Sequence, residues 1–255
     1  MSTTQADWKL TTVIEGKIAW LEFYHRAGNS LPSKLLKSLA YEFNSLSNNN
    51  KVALIVLSSK GEKAFCAGAS FLELASIDNF NDAKEFFLGF ANIINAMRKC
   101  LKPIIGRVQG KAVGGGLGII ASCDYILSVE QASIKLSELS LGIGPFVIAP
   151  AVRRKIGTSA LAELSLDASN WKNALWAKQK GLYTQVFKTI EELDKELRIF
   201  TEKLALYSPI ALSKIKQMLW ANTEDWDFLL EKRAEISGRL VLSELTQKAI
   251  AKFKK

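Results

Sequence analysis

A chain of 255 residues that is 48% hydrophobic can bury a full core, as one large domain or two small ones. Its net charge of +9 is spread along the chain, and only Arg153 to Lys155 and Lys248 to Lys255 approach a patch, which argues against a nucleic-acid surface and for an anionic small ligand. Cys66, Cys100 and Cys123 lack the spacing of a disulfide framework or zinc site, the longest uncharged apolar run (Ala112 to Ala121) is too short to span a bilayer, and no secretory pattern opens the sequence, so a cytoplasmic, metal-free protein is expected.

Residues 10 to 24 alternate and then run apolar around Glu15 and Gly16, as a β-hairpin does. Arg26 to Ser30 reads as a loop, with His25 placed in it. Ser30 followed by Leu31 and Pro32 resembles a helix start, and Leu31, Leu35, Leu39, Phe43 and Leu46 recur at helical spacing until Asn48 to Asn50 ends the run. Val52 to Leu57 is a continuous apolar run suited to a strand buried on both faces. Ser58 to Ser70 reads as a loop, and an amphipathic helix over 82 to 99 carries Phe86, Phe87, Phe90, Ile93, Ile94 and Met97 on one side. Pro103 to Val108 and Tyr125 to Val129 give two more strands. Between them, the glycines at 114, 115 and 116 form a tight turn into a buried helix.

Beyond residue 150 the pattern turns helical. Thr189 and Glu192 form a capping box ahead of Leu193, Leu197, Phe200 and Leu204. Ser208 and Pro209 start a helix carrying Ile215, Leu219 and Trp220, and Trp226 to Phe253 is helix-like. The order is that of an α/β protein, divided at residue 200 into a core (1 to 200) and a C-terminal helical segment (201 to 255) whose apolar residues exceed what a small helical hairpin buries.

Two loops follow buried strands, Ala64 to Ala69 and Val113 to Gly116. Backbone donors from two such loops can make an oxyanion hole for an ester or thioester carbonyl. A tight turn against a neighbouring strand would give the same glycines. Glu138 lies between apolar neighbours where desolvation would raise its pKa into the range of a proton-transfer group; it also reads as a first-turn carboxylate capped by Ser137. Cys66 has no adjacent base and reads as packing, and Asp124 reads as a structural cap. No Lys-Ser/Thr pair follows the glycine run, and no serine nucleophile stands with His25, which excludes a P-loop and a catalytic triad.

Four stretches, Phe65 to Ala69, Gly110 to Gly116, Ser122 to Asp124 and Ser137 to Gly142, in this order and spacing, resemble the enoyl-CoA hydratase/isomerase, or crotonase, superfamily over residues 12 to 220, and most of all its methylglutaconyl-CoA hydratase-like members. The resemblance implies a spiral of β-β-α units with C-terminal helices that assemble trimers or pairs of trimers. It implies an acyl-CoA thioester substrate with no separate cofactor, and enzymes of fatty-acid or branched-chain amino-acid degradation. Its thioester oxygen would be held by the N–H groups of Ala69 and Gly115, the second on the turn that Gly114 opens.

By the same resemblance Arg26, Ala27 and Gly28 would touch the CoA phosphates and adenosine. Ala64, Ala67 and Gly68 would line the adenine and pantetheine, and Ser70, Phe71 and Leu72 the acyl pocket. Pro145 and Phe146 stand in a loop, Leu141 to Pro150, like that of hydratases for branched enoyl-CoAs. The family's two-carboxylate hydratases carry one glutamate where this chain has Gly118 and the other at Glu138. One catalytic carboxylate, Glu138, therefore remains. The resemblance implies a hydratase adding water across C2=C3 of an enoyl-CoA, branched or carboxylated chains included. A Δ3,Δ2-enoyl-CoA isomerase and a non-catalytic acyl-CoA-binding protein are its alternatives. For a carboxylated acyl end the candidate cations are Lys135, Arg153 and Arg154.

Overall fold

The computed structural model describes residues 7–252. The first hairpin pairs β1 (Trp8–Glu15) with β2 (Ile18–His25) in antiparallel register, Glu15 opposite Ile18. Helix α1 (Ser33–Ser47) buries Leu35, Leu36, Leu39, Phe43 and Leu46. Next come β3 (Leu54–Ser59), β4 (Ala64–Cys66), the single turn α2 (Phe71–Leu74) and the long α3 (Phe80–Lys99). Then follow β5 (Ile104–Val108), β6 (Lys111–Val113), α4 (Gly115–Ser122), β7 (Tyr125–Val129), β8 (Ile134–Lys135) and a 3-10 turn over Glu138–Leu141. The C-terminal part holds α5 (Ala149–Leu166), α6 (Ala174–Gln179), β9 (Gln185–Phe187), α7 (Ile190–Ala205), α8 (Pro209–Leu219), α9 (Trp226–Val241) and α10 (Glu244–Lys252).

Strands β1, β2, β3, β5, β7 and β9 form one sheet in that order, parallel after the first hairpin, and β4, β6 and β8 form a small parallel sheet. Because parallel strands need crossovers, the chain winds repeatedly from the large sheet to the small one and back through a helix. Helix α4 sits at the centre with all eight residues buried, which its apolar composition requires. Helix α9 packs along α3, where Lys84 pairs with Glu231 at 2.7 Å and Glu235 at 3.1 Å.

Several expectations need correction. Helix α1 begins at Ser33, with Pro32 extended at its N-cap. Leu31 instead bridges to Ala69, because its N–H bonds Gly68 O at 2.8 Å and its carbonyl accepts from Ser70 N at 3.2 Å. The stretch from 58 to 70 contains β4, and the region beyond 150 contains β9. His25 ends strand β2, with its Nδ1 3.2 Å from Ala27 N and 2.9 Å from Ser30 Oγ; burial lowers its pKa. The last segment breaks into α9 and α10, and Phe253 lies outside the described residues. In the capping box, Thr189 Oγ1 accepts from Glu192 N, but the Glu192 carboxylate returns to Lys188 N, one residue before the cap.

Asp124 does more than cap. Its Oδ2 accepts from Ile104 N and from Lys216 Nζ, and its Oδ1 from Trp220 Nε1, each at 2.7 Å. The Lys216 side chain is 1% exposed, so this ion pair is buried and ties α8 to the edge of β5. Nearby, burial lowers the Lys155 pKa to about 8, and its Nζ donates to Asp124 O at 3.1 Å.

Candidate active site

The small sheet decides which residues meet. In its register Cys66 lies opposite Ala112, Ala112 opposite Ile134, and Val113 opposite Lys135. Three parallel strands therefore end side by side, and the residues just past their carboxyl ends come together. These are Ala69 after β4, Gly115 after β6 and Glu138 after β8. Ligands of open α/β sheets gather at such strand ends.

Ala69 owes its direction to the bridge with Leu31. The bridge's hydrogen bonds use the carbonyl of Gly68 and the N–H of Ser70, which turns the Ala69 N–H to the opposite side. Gly115 is the first residue of α4, so its N–H has no carbonyl one turn back to meet. Neither N–H donates to another described residue. The turn between strand and helix needs Gly114, whose φ of +52° lies where L side chains are strained. A Cβ there would also lie 2.8 Å from Glu138 Oε1, so the carboxylate sits directly against the turn. A Cβ on Gly115 would lie 2.8 Å from Phe90 Cδ1.

Glu138 opens the 3-10 turn, and Ser137 gives it no side-chain cap, so the reading of a capped first-turn carboxylate does not hold. Its Oε2 is buried without a hydrogen-bond partner. Desolvation raises its pKa from 4.5 to about 7, against hydrogen bonds from its own backbone and from Ser137 that pull the value down. The carboxyl can thus lose or hold a proton near neutral pH.

A cavity of about 180 Å³ opens in front of these groups. Ala67, Gly68, Ala69, Gly114, Gly115 and Glu138 border one part of it. Phe71, Leu74, Phe86, Phe87 and Phe90 form one apolar wall, and Leu141, Ile143 and Pro145 to Ile148 another. Ser237 of α9 completes it. Of the expected site residues, Arg26, Ala27, Gly28, Ala64, Ser70 and Leu72 are not on this wall. Ser70 caps α2, accepting from Glu73 N, and Leu72 is 80% exposed. The loop with Arg26, Ala27 and Gly28 lies against the cavity's rim, since Gly28 O accepts from Ala67 N at 3.0 Å. Arg26 is exposed and pairs with Asp7 at 3.0 Å.

No second carboxylate borders the cavity among the described residues. A Cβ at Gly118 would lie 2.7 Å from Ile148 Cβ, so an apolar side chain fills the room a longer residue would take. Glu73 is engaged by Ser33 N at 2.8 Å and Ser33 Oγ at 2.6 Å, and Asp78 by Asn79. The cations named for a carboxylated acyl end are also elsewhere. Lys135 Nζ is over the Trp171 ring, the Arg154 guanidinium stacks on Trp220 and donates to Leu219 O, and neither they nor Arg153 border the cavity.

Two supporting residues, Asn29 and Gln109, escaped sequence reasoning, and Cys66, read as packing, is buried as expected. Buried Asn29, at φ +58°, donates to Lys60 O at 2.8 Å and Ala64 O at 2.9 Å, clamping its loop to β4. The Asn29 type at a loop end was the available signal, since asparagine tolerates that backbone. Gln109 Nε2 bonds Ser59 Oγ at 2.9 Å and Ala64 O at 3.3 Å. Cys66 has its thiol pushed up to about 12 by burial, and its Sγ accepts from Gly68 N at 3.3 Å, so it buttresses the first loop. For Gln109 and Cys66 no local pattern announces the contact.

A family model described as enoyl-CoA hydratase/isomerase matches residues 14–252. A short-chain-enoyl-CoA hydratase of Clostridium acetobutylicum is 29% identical over 242 residues, which is 94% of this chain and 92% of that protein. A peroxisomal Delta(3,5)-Delta(2,4)-dienoyl-CoA isomerase of Arabidopsis thaliana is 29% identical over 195 residues, 71% of this chain and 68% of that protein. The crystal structure of an enoyl-CoA hydratase from Bacillus halodurans has a TM-score of 0.88 to this chain at 19% identity, covering 95% of it and 99% of that chain. At that identity the likeness is one of fold.

Proposed function

The chain belongs to the enoyl-CoA hydratase/isomerase family and has the spiral α/β fold of crotonases, and from that premise we propose that it is an enoyl-CoA hydratase working with a single glutamate. The observation that carries this reading is the buried Glu138 carboxyl, with a pKa of about 7, against a turn whose Gly115 N–H is unused. In the proposed step the thioester oxygen accepts hydrogen bonds from Ala69 N and Gly115 N. The Glu138 carboxylate takes a proton from water as the water oxygen bonds to C3. The C2=C3 electrons move onto the thioester oxygen as an enolate, and the enolate collapses as C2 takes the proton back from Glu138. The carboxylate is restored and one water has been added. Each oxyanion donor contributes roughly 10²-fold in rate when its geometry is good.

The walls favour an acyl chain that is apolar along most of its length, straight or branched. In this reading CoA extends past the rim over Arg26, Ala27, Gly28 and Ala64, with Arg26 meeting a phosphate. CoA is then part of the substrate and no further cofactor is needed. We also propose that copies associate through the C-terminal helices, and that the protein is cytoplasmic; among the described residues no helix is long and apolar enough to cross a membrane.

One observation favours a second reading. A lone carboxylate suffices for isomerisation, in which Glu138 would take a proton from C2 and return it at C4. Incubation with crotonyl-CoA and with a 3-enoyl-CoA, followed by product mass and by the ultraviolet absorbance of the conjugated 2-enoyl thioester, separates the two. Gain of one water on crotonyl-CoA supports hydration. Unchanged mass of the 3-enoyl-CoA with a gain in conjugated-enoyl absorbance supports isomerisation, and no change in mass or absorbance with either substrate defeats both.

A further inference from the structure

One polar side chain on the cavity wall has no part in the chemistry above. Ser237 lies on the buried face of α9, is 1% exposed, and borders the cavity with Phe86, Phe87 and Ile143. Two other buried helical hydroxyls donate to the carbonyl one turn back, and that of Thr246 pairs with Ser243 Oγ at 3.0 Å. Ser122 Oγ donates to Gly118 O and Thr201 Oγ1 to Leu197 O, both at 2.8 Å. Ser237 makes no such bond, and no described residue partners its hydroxyl. Unlike Ser128 Oγ, which is fully enclosed without a partner, the Ser237 hydroxyl keeps access to the cavity, where an unpaired hydroxyl can bond a ligand that enters.

The serine is also held firmly. A Cβ on the adjacent Gly238 would lie 3.2 Å from Lys84 N, so α9 is in close contact with the first turns of α3, and Lys84 ties the helices together through Glu231 and Glu235. The other polar side chains on the wall, Ser137 and Glu138, belong to the loop that faces the oxyanion turn. Ser237 enters from a different element, among phenylalanines. No lysine, arginine or histidine borders the cavity among the described residues, so an ionised group there would go uncompensated. A serine hydroxyl both donates and accepts, which suits an uncharged keto or hydroxyl oxygen.

We propose that Ser237 is a specificity residue that hydrogen-bonds an uncharged oxygen on the acyl chain beyond C3, so that the preferred substrates are oxygenated enoyl-CoA thioesters. The proposal rests on reading the cavity as the acyl site. A neutral hydrogen bond whose loss leaves a buried group unpaired is worth about ten- to a hundredfold in affinity or kcat/KM.

The test compares hexanoyl-CoA with the same chain bearing a keto oxygen, a terminal hydroxyl or a terminal carboxylate, by calorimetry, on the native protein, Ser237→Ala and Ser237→Cys. Kinetics on the matching 2-enoyl thioesters run in parallel. The expected result is about tenfold or tighter binding of an oxygenated chain than of hexanoyl-CoA by the native protein, and loss of that preference in both variants. Equal affinity of all chains for the native protein, a preference that survives both substitutions, or tighter binding of a carboxylate-terminated chain would overturn it. Because binding of the saturated chains needs no turnover, failure to add water to the 2-enoyl thioesters counts against the hydratase reading alone.

Discussion

Glu138 is an acid whose surroundings work against its charge, and both its chemistry and its effect on stability follow from that. As a base it acts ionised, so kcat/KM is expected to climb about tenfold per pH unit on the acid side and to level off above an apparent pKa near 7. Glu138→Gln keeps the shape but cannot take a proton; turnover should fall by at least about 10³-fold while acyl-CoA affinity stays within a few-fold. Stability carries the opposite sign. The unfolded carboxyl ionises near 4.5 and the folded one holds its proton to about 7, so stability falls as pH rises between those values. At about pH 8 the glutamine variant should therefore be more stable than the native chain, by on the order of 2 kcal/mol, with no gain at about pH 4. Denaturant titrations at the two pH values check this. An equal difference at both would mean that burial is not what raises the pKa.

At the scale of elements, α8 is attached through one buried carboxylate. Lys216→Met would leave Asp124 bonded only to Ile104 N and Trp220, an incompletely compensated buried charge, at a cost of about 3 kcal/mol. Trp220→Phe removes one hydrogen bond and should cost less, about 1 kcal/mol before any loss of packing. Midpoints of urea unfolding rank the two, and the reverse order would mean that Lys216 is dispensable to the anchor. The same elements show what a sequence discloses. Helix α3 was legible because phenylalanines and isoleucines recur along one face of a twenty-residue helix, and α8 because Ser208 and Pro209 mark its start. Strands β4, β6, β8 and β9 were not, since two or three residues have no period and exist only because a partner is beside them. Leu31 fits the periodicity of α1 but is taken by its bridge to Ala69. Likewise Gly118 was visible as a missing glutamate, whereas Ile148 above it is a contact across thirty residues that no local pattern encodes.

For the molecule as a whole, the C-terminal helices leave apolar side chains uncovered. Ile210 is 76% exposed and Met218 67%, with Ile215 and Leu219 exposed on the same helix, α8, and Leu206 and Tyr207 in the connection before it. Burial of such a surface is the main drive for association, and it works against the salt-screened repulsion between copies that each carry a net charge of +9. Sedimentation of the native chain should give a mass well above one chain, and the double substitution Ile210→Lys with Met218→Lys should lower it. A native protein that sediments as a single chain at micromolar concentration would refute association through this face.

The account stands on two amide hydrogens from separate strand ends meeting one carbonyl oxygen beside a solitary acid. A crystal structure with an unreactive acyl-CoA such as acetoacetyl-CoA measures this most directly. The thioester oxygen is expected within about 3 Å of both Ala69 N and Gly115 N, with the Glu138 carboxyl facing the acyl carbons. A thioester oxygen bonded elsewhere, or a Glu138 side chain turned out to solvent, would contradict it.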